Sequence, residues 1–276
     1  MIAILLALGT ALAYGVANYL APVLGRRMPL AAVALGSQVA GLAVSVLLTL
    51  GADLTMSGAG LAYAVAAGAA NSGALACFYR AGRTGNLSVL SPVTASGAVV
   101  PVVVGLVAGD RPGPWQLVGI PVVLAGIVLA ARRGGASSGG RTDGLGWALA
   151  AAVLFGTFLA TYAGAAADSS PGALVWSRVA LVVTTGVGIV LLRAPVRVGP
   201  RDGALVLVPG LLLALGTFAF GEATRIGLLS VVSLIATLNP VVTVVLAFVL
   251  LRERPSGLQR AGAALALAGI VLLASG

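Results

Sequence analysis

FYRAGRTGNLSVLS, residues 78–91, returns as FGEATRIGLLSVVS at residues 220–233. Phe, Ala, Arg, Gly, Leu, Ser, Val and Ser hold the same places in both copies. With one extra residue in the second copy the match continues. Arg111-Pro112 aligns with Arg254-Pro255, Gln116 with Gln259 and Gly119 with Gly262, and the run Gly126 to Leu129 aligns with Gly269 to Leu272. The chain of 276 residues is a duplication, and each half is almost entirely apolar.

Working outward from that stretch, apolar runs near twenty residues recur along the whole length. Each is long enough to cross a hydrocarbon core of about 30 Å. Ten spans are predicted near 2–24, 30–50, 58–79, 86–108, 114–131, 144–166, 171–192, 203–221, 228–250 and 257–274. Residues 132–143, rich in Gly, Ser and Arg, read as a flexible linker between repeats at 1–131 and 144–276. Five helices per repeat is an odd number, so the second copy enters the membrane from the opposite side. The predicted fold is an all-α integral membrane protein whose ten transmembrane helices form two inverted five-helix repeats. A duplicated bundle of this kind points to a carrier with its site between the repeats.

Hydrophobic residues make up 59% of the chain and charged residues 8%, which leaves no soluble domain once the spans are marked. The net charge of +9 sits in arginines of the short loops, where it sets topology and meets lipid headgroups rather than nucleic acid. One cysteine, Cys77, excludes an internal disulfide and a Cys-based zinc site, and its apolar helix makes it a packing residue. The absence of histidine removes the commonest general base and metal ligand, so no enzyme, cofactor or metal centre is expected. No phosphate-binding Gly-rich loop with its lysine is present, so a gradient rather than ATP is the expected energy source. The first segment lacks a positive leader and reads as a retained helix.

By this point the sequence resembles the drug/metabolite transporter superfamily, in its ten-helix form built from two EamA-type repeats. The resembling residues are Tyr14-Gly15 and Phe155-Gly156 in the first helix of each half, Ala236 to Val242, and the closing stretch from Leu251 to Val271. The first half departs from the pattern: Asp110 stands for the repeat-ending glutamate, and Ala98 stands where Pro240 sits in the second half. The resemblance implies both termini in the cytoplasm. The arginine count, concentrated after the odd-numbered helices at positions such as Arg26, Arg80, Arg132 and Arg193, implies termini outside.

Charge inside a span is a functional candidate. Arg178 lies seven residues after Pro171, about 10 Å along its helix, and either snorkels to the interface or forks a substrate carboxylate or phosphate. Its neighbours Trp176 and Ser177 suggest a polar-aromatic wall, and the equivalent first-half position carries Gln38. Glu222 falls at the expected end of the eighth helix, as a proton site or as a helix-end partner of Arg225 at i+3. The first helix offers Tyr14, Asn18 and Tyr19 and the sixth Thr157, Thr161 and Tyr162, with no acid in either, which argues against carboxylate-driven export of lipophilic cations. Asn239 precedes Pro240, where a missing helical bond frees a carbonyl. Asn71, Ser72, Ser91, Thr94, Ser96, Thr217, Phe218, Phe220, Ser233 and Thr237 form a second polar and aromatic group, each read first as interhelical glue.

The reading is a secondary transporter in the cell membrane that exports amino acids or related small polar metabolites by alternating access. Arg178 would bind the carboxylate, and Tyr14, Asn18, Trp176 and Asn239 would shape the pocket. A proton or another ion would be the coupling partner, and a monomer already holds both halves, with a homodimer equally open. The alternatives are a drug or organic-cation exporter using Glu222, and a non-transporting membrane scaffold or lipid-binding protein.

Overall fold

Inside a bilayer no water reaches the backbone, so a spanning chain satisfies its N–H and C=O groups as a helix or in a closed barrel. This chain takes the helical solution. The computed structural model describes residues 1–25, 27–84, 93–94, 96–131, 144–194, 196, 204–239, 241–242, 245–246, 249 and 256–275. Among them the helices are α1 Ile2–Gly25, α2 Leu30–Leu48, α3 Gly58–Thr84, α4 Val99–Val107, α5 Pro114–Ala131, α6 Leu145–Asp168, α7 Ser170–Leu191, α8 Leu207–Ile226, α9 Leu229–Ala236 and α10 Gly257–Ala274. Short 3-10 turns, Ser96–Ala98 and Ala204–Val206, lead into α4 and α8. Helices α1, α2, α3, α6, α7, α8 and α10 are long and apolar enough to cross a membrane. The linker at 132–143, Ser91, Pro92 and Pro240 lie outside the described residues.

Two helices run five residues past the end expected from sequence, and α9 closes at Ala236 with a turn where an unbroken span to 250 was expected. Helix α3 continues to Thr84 rather than 79, and α8 continues to Ile226 rather than 221. In both cases polar residues, Arg80 and Glu222 among them, look like helix ends by hydropathy, yet nothing in their chemistry breaks a helix. Where a stop signal exists, it is used. Ser169 caps α7 by accepting the Gly172 N–H at 3.2 Å, with Pro171 in the first turn. Ser256 and Gln259 form a reciprocal capping box on α10.

The helices meet through small residues, as expected where lipid removes the hydrophobic drive and close approach supplies the attraction. Ala7, Ala64, Ala67, Ala74, Ala148, Ala165 and Ala214 are fully buried, while leucines and valines such as Leu5, Val107, Val190 and Val271 face outward. Helix α3 packs on α6 and α7, and α8 packs on α1 and α2. Helix α5 packs on α10, α4 on α9 and α2 on α7. Shifting every label by five helices returns the same set of neighbours. Two close crossings follow the same exchange. A Cβ at Gly68 of α3 would overlap the Ser177 carbonyl oxygen of α7, and one at Gly210 of α8 would lie 2.7 Å from the Ser37 carbonyl oxygen of α2.

Carboxylates fasten one end of the bundle. Asp168, closing α6, accepts the Ser57 N–H at 2.8 Å just before α3 begins. Asp110, beyond α4, accepts the Ser230 N–H at 2.8 Å in the first turn of α9. Each places negative charge where exposed N–H groups and the helix dipole favour it. In the loop between α2 and α3, Asp53 accepts from the Thr55 N–H and hydroxyl, which holds its carboxyl below the usual range.

Candidate functional site

Arg178 stands in the interior of α7, nine residues into a helix of 22. Its side chain is only 4% exposed. The guanidinium turns inward rather than snorkelling to an interface, so that reading is set aside. One arm, Nη1, donates to Gln38 Oε1 of α2 at 2.8 Å. The other, Nη2, donates to Thr217 Oγ1 of α8 at 2.6 Å and to the Leu213 carbonyl one turn earlier. Thr217 shares a further hydrogen bond with the Tyr14 hydroxyl of α1, 2.9 Å away. Arg178, Gln38, Thr217 and Tyr14 therefore join four helices through one polar network. Every hydrogen-bond partner of Arg178 is neutral, and no carboxylate pairs with it among the described residues.

A small cavity of about 10 Å³, room for little more than one water, adjoins the guanidinium. Gly68, Asn71, Phe158, Ser177, Leu181 and Thr217 line it together with Arg178. Ligand pockets usually run to about 300–1,000 Å³, so the bundle is closed around this group. The wall offers a cation, a carboxamide, two hydroxyls and an aromatic face, the chemistry that recognises a small anion with a polar or apolar remainder.

Of the residues selected from sequence, Tyr14 joins Arg178 through Thr217. Asn18, one turn along α1, is exposed. Trp176 is 40% exposed, and its Nε1 donates to the Leu54 carbonyl at 3.3 Å, tying α7 to the α2–α3 loop. Trp176 and Asn18 do not line the cavity. Trp176 lies two residues from Arg178, which at about 100° per residue puts it on another face of the helix. Asn239 is half-buried beyond the turn that ends α9. Glu222 lies inside α8 rather than at its end. It accepts a hydrogen bond from Ser170 Oγ at the start of α7, and it pairs with Arg225 at 3.2 Å. Ser72 bonds Thr185 at 3.0 Å between α3 and α7, as interhelical glue would.

Sequence reasoning named Gln38, Thr217 and Asn71 without placing them at the site, and it missed Phe158, which lines the cavity. The usable signal was present for Gln38, which occupies the first-half counterpart of Arg178 and turns out to be its direct partner. Tyr162 was noted in sequence only as a polar residue of the sixth helix, with no role at the site. It is fully buried on α6, its ring 6.0 Å from that of Phe158 and 6.2 Å from that of Phe220.

Residues 142–275 match the EamA-like transporter family. Those residues are just under half of the chain, and over them it is similar to a transporter family rather than an enzyme family. With seven helices long and apolar enough to cross a membrane among the described residues, the chain fits a multi-pass membrane protein. A solved crystal structure is similar over 98% of this chain and 95% of its own, with a TM-score of 0.81 and 18% identity. At that identity the likeness carries the fold. No curated protein matches the chain.

Proposed function

We propose that this EamA-like protein is a secondary transporter that exports amino acids or related small polar metabolites, with Arg178 binding the substrate carboxylate. The observation that carries the reading is the buried guanidinium held by neutral groups alone. A cation kept from water without a counter-charge costs several kcal/mol, and a substrate anion entering the cavity offsets that cost. Neutral partners orient the fork without cancelling its charge, and an entering carboxylate would displace one of them, such as the Thr217 hydroxyl, to take a two-oxygen contact.

Alternating access follows from the same picture. The halves at 1–131 and 144–276 act as inverted five-helix repeats joined by the 132–143 linker, with the substrate between them. The exchange of helix neighbours, the matched crossings at Gly68 and Gly210, and the meeting of Arg178 with its counterpart Gln38 support this relation. Export of organic cations is less well supported. It requires a free carboxylate on the pathway, and Glu222 is paired with Arg225 and Ser170 outside the cavity lining.

The test is thermal stabilisation of the purified protein by L-threonine, L-phenylalanine, lactate and tetraphenylphosphonium. A carboxylate ligand at about 100 times its Kd stabilises the folded state by about 2.7 kcal/mol. Arg178→Met is expected to remove that stabilisation while leaving a folded protein. Stabilisation by tetraphenylphosphonium alone, or carboxylate binding that survives Arg178→Met, sinks the assignment.

A further inference from the structure

The Tyr162 hydroxyl is buried and has no hydrogen-bond partner among the described residues. An unsatisfied buried polar group costs about 1–3 kcal/mol, so a retained one asks for a reason. Ser230 and Ser233 also have unpartnered hydroxyls, but Ser233 can rotate onto the Leu229 carbonyl four residues back, and Ser230 lies in the first turn of α9, outside the Arg178 cavity lining. A tyrosine hydroxyl, at the far end of a rigid ring, has no such local exit.

Its location supplies the reason. Tyr162 sits four residues beyond Phe158, which lines the Arg178 cavity, and their rings are in contact. Its other ring neighbour, Phe220, sits three residues beyond Thr217, the residue that holds Arg178. The absent side chain at Gly221 leaves room for the phenol, since a Cβ there would lie 3.4 Å from the hydroxyl oxygen. Tyr162 thus forms the layer next to the cavity, about 6 Å along from Phe158 by the rise of one helical turn. It is the side of the cavity on which Glu222 lies.

We infer that the Tyr162 hydroxyl is a second substrate contact, left without a partner in the closed bundle and paired when the cavity opens around its ligand. The inference rests on Arg178 as the anion site. It specifies the ligand further: a small carboxylate with a second hydrogen-bonding atom a few bonds from its charged end, reaching past Phe158 toward Tyr162. Aliphatic carboxylates that lack that atom satisfy Arg178 and leave Tyr162 unpaired.

The experiment compares 5-hydroxypentanoate with pentanoate, and L-glutamine with L-norleucine, by titration and thermal shift on the purified full chain. The polar member of each pair is expected to bind about 5–10-fold more tightly, the worth of one neutral hydrogen bond. Tyr162→Phe is expected to erase that difference, leave the binding of pentanoate unchanged, and keep or raise the Tm of the free protein. If the polar preference survives Tyr162→Phe, the inference fails while the Arg178 reading stands. If Tyr162→Phe lowers the Tm of the free protein by several degrees, the hydroxyl has a structural partner and the inference also fails. If no member of either pair binds, or binding survives Arg178→Met, the reading and the inference fall together.

Discussion

Substituting Gly68 by alanine tests the α3–α7 crossing beside the cavity. A Cβ at this position would overlap the Ser177 carbonyl oxygen and lie 2.7 Å from both the Ala180 Cβ and the Leu181 backbone nitrogen, where ordinary contact begins near 3.4 Å. The obstacles are mostly backbone, so no side chain can swing aside and the helices must part by roughly 0.7 Å or more. Overpacking of this kind costs about 1–3 kcal/mol, against a gain of about 0.5–1 kcal/mol from exchanging glycine for alanine in a helix. The expected balance is a loss of about 1–2 kcal/mol, or a Tm lower by roughly 2–6 °C for a chain of this size. Gly9→Ala in α1 is the matched control. Its Cβ would meet nothing within 4 Å, so only the propensity gain remains and the Tm is expected to hold or rise. Both variants are measured by thermal unfolding in the same detergent. Equal shifts in the two would refute the close crossing, and with it the placement of Ser177 and Arg178 against α3.

Two further substitutions separate scaffold from site. Asp110→Ala removes the carboxylate that accepts the Ser230 N–H, so thermal unfolding is expected to show a loss of about 1 kcal/mol, as for a lost helix cap, with Asp110→Asn retaining most of it. Gln38→Glu sets a carboxylate 2.8 Å from Arg178 in place of the amide oxygen, neutralising the guanidinium from within. It is expected to weaken carboxylate ligands at least tenfold in titrations, more than Gln38→Ala does, because a paired charge no longer calls for an external anion.

The helices were legible in sequence because lipid permits so few alternatives: an apolar run near twenty residues has almost nowhere to go but into a helix. Their ends were less so. Hydropathy falls at Arg80 and at Glu222 without any capping or breaking residue, and both helices continue past them. At the site, Arg178 was legible because charge within a span is rare and its position could be measured from Pro171. Its surroundings were not, since nearness in sequence is a poor guide to nearness in space on a helix. Trp176 and Asn18 lie away from the cavity, whereas Thr217 and Tyr14 arrive from helices 39 and 164 residues away, by subtraction of their numbers from 178. Tyr162 stood out in sequence only as a polar residue of the sixth helix, beside Thr157 and Thr161. A tyrosine among apolar neighbours reads as core, and only the tertiary structure shows that its hydroxyl has been left without a partner.

On the proposed repeat relation, the two halves match where they bear on each other and differ where they meet a ligand. Gly68 against Ser177 and Gly210 against Ser37 are the same contact made twice, by residues of the same type. Exchanging two states at low cost requires such equivalence, because each state must be packed about as well as the other. Arg178 against Gln38 has counterpart positions but unlike chemistry, a fixed cation facing a neutral amide. Two arginines there would repel, and two glutamines would lose the charge. The unequal pair gives one charged contact at the seam between the halves, which suits a ligand with one anionic end. The seam thus supplies direction to the ligand while the surrounding crossings keep the two repeats interchangeable.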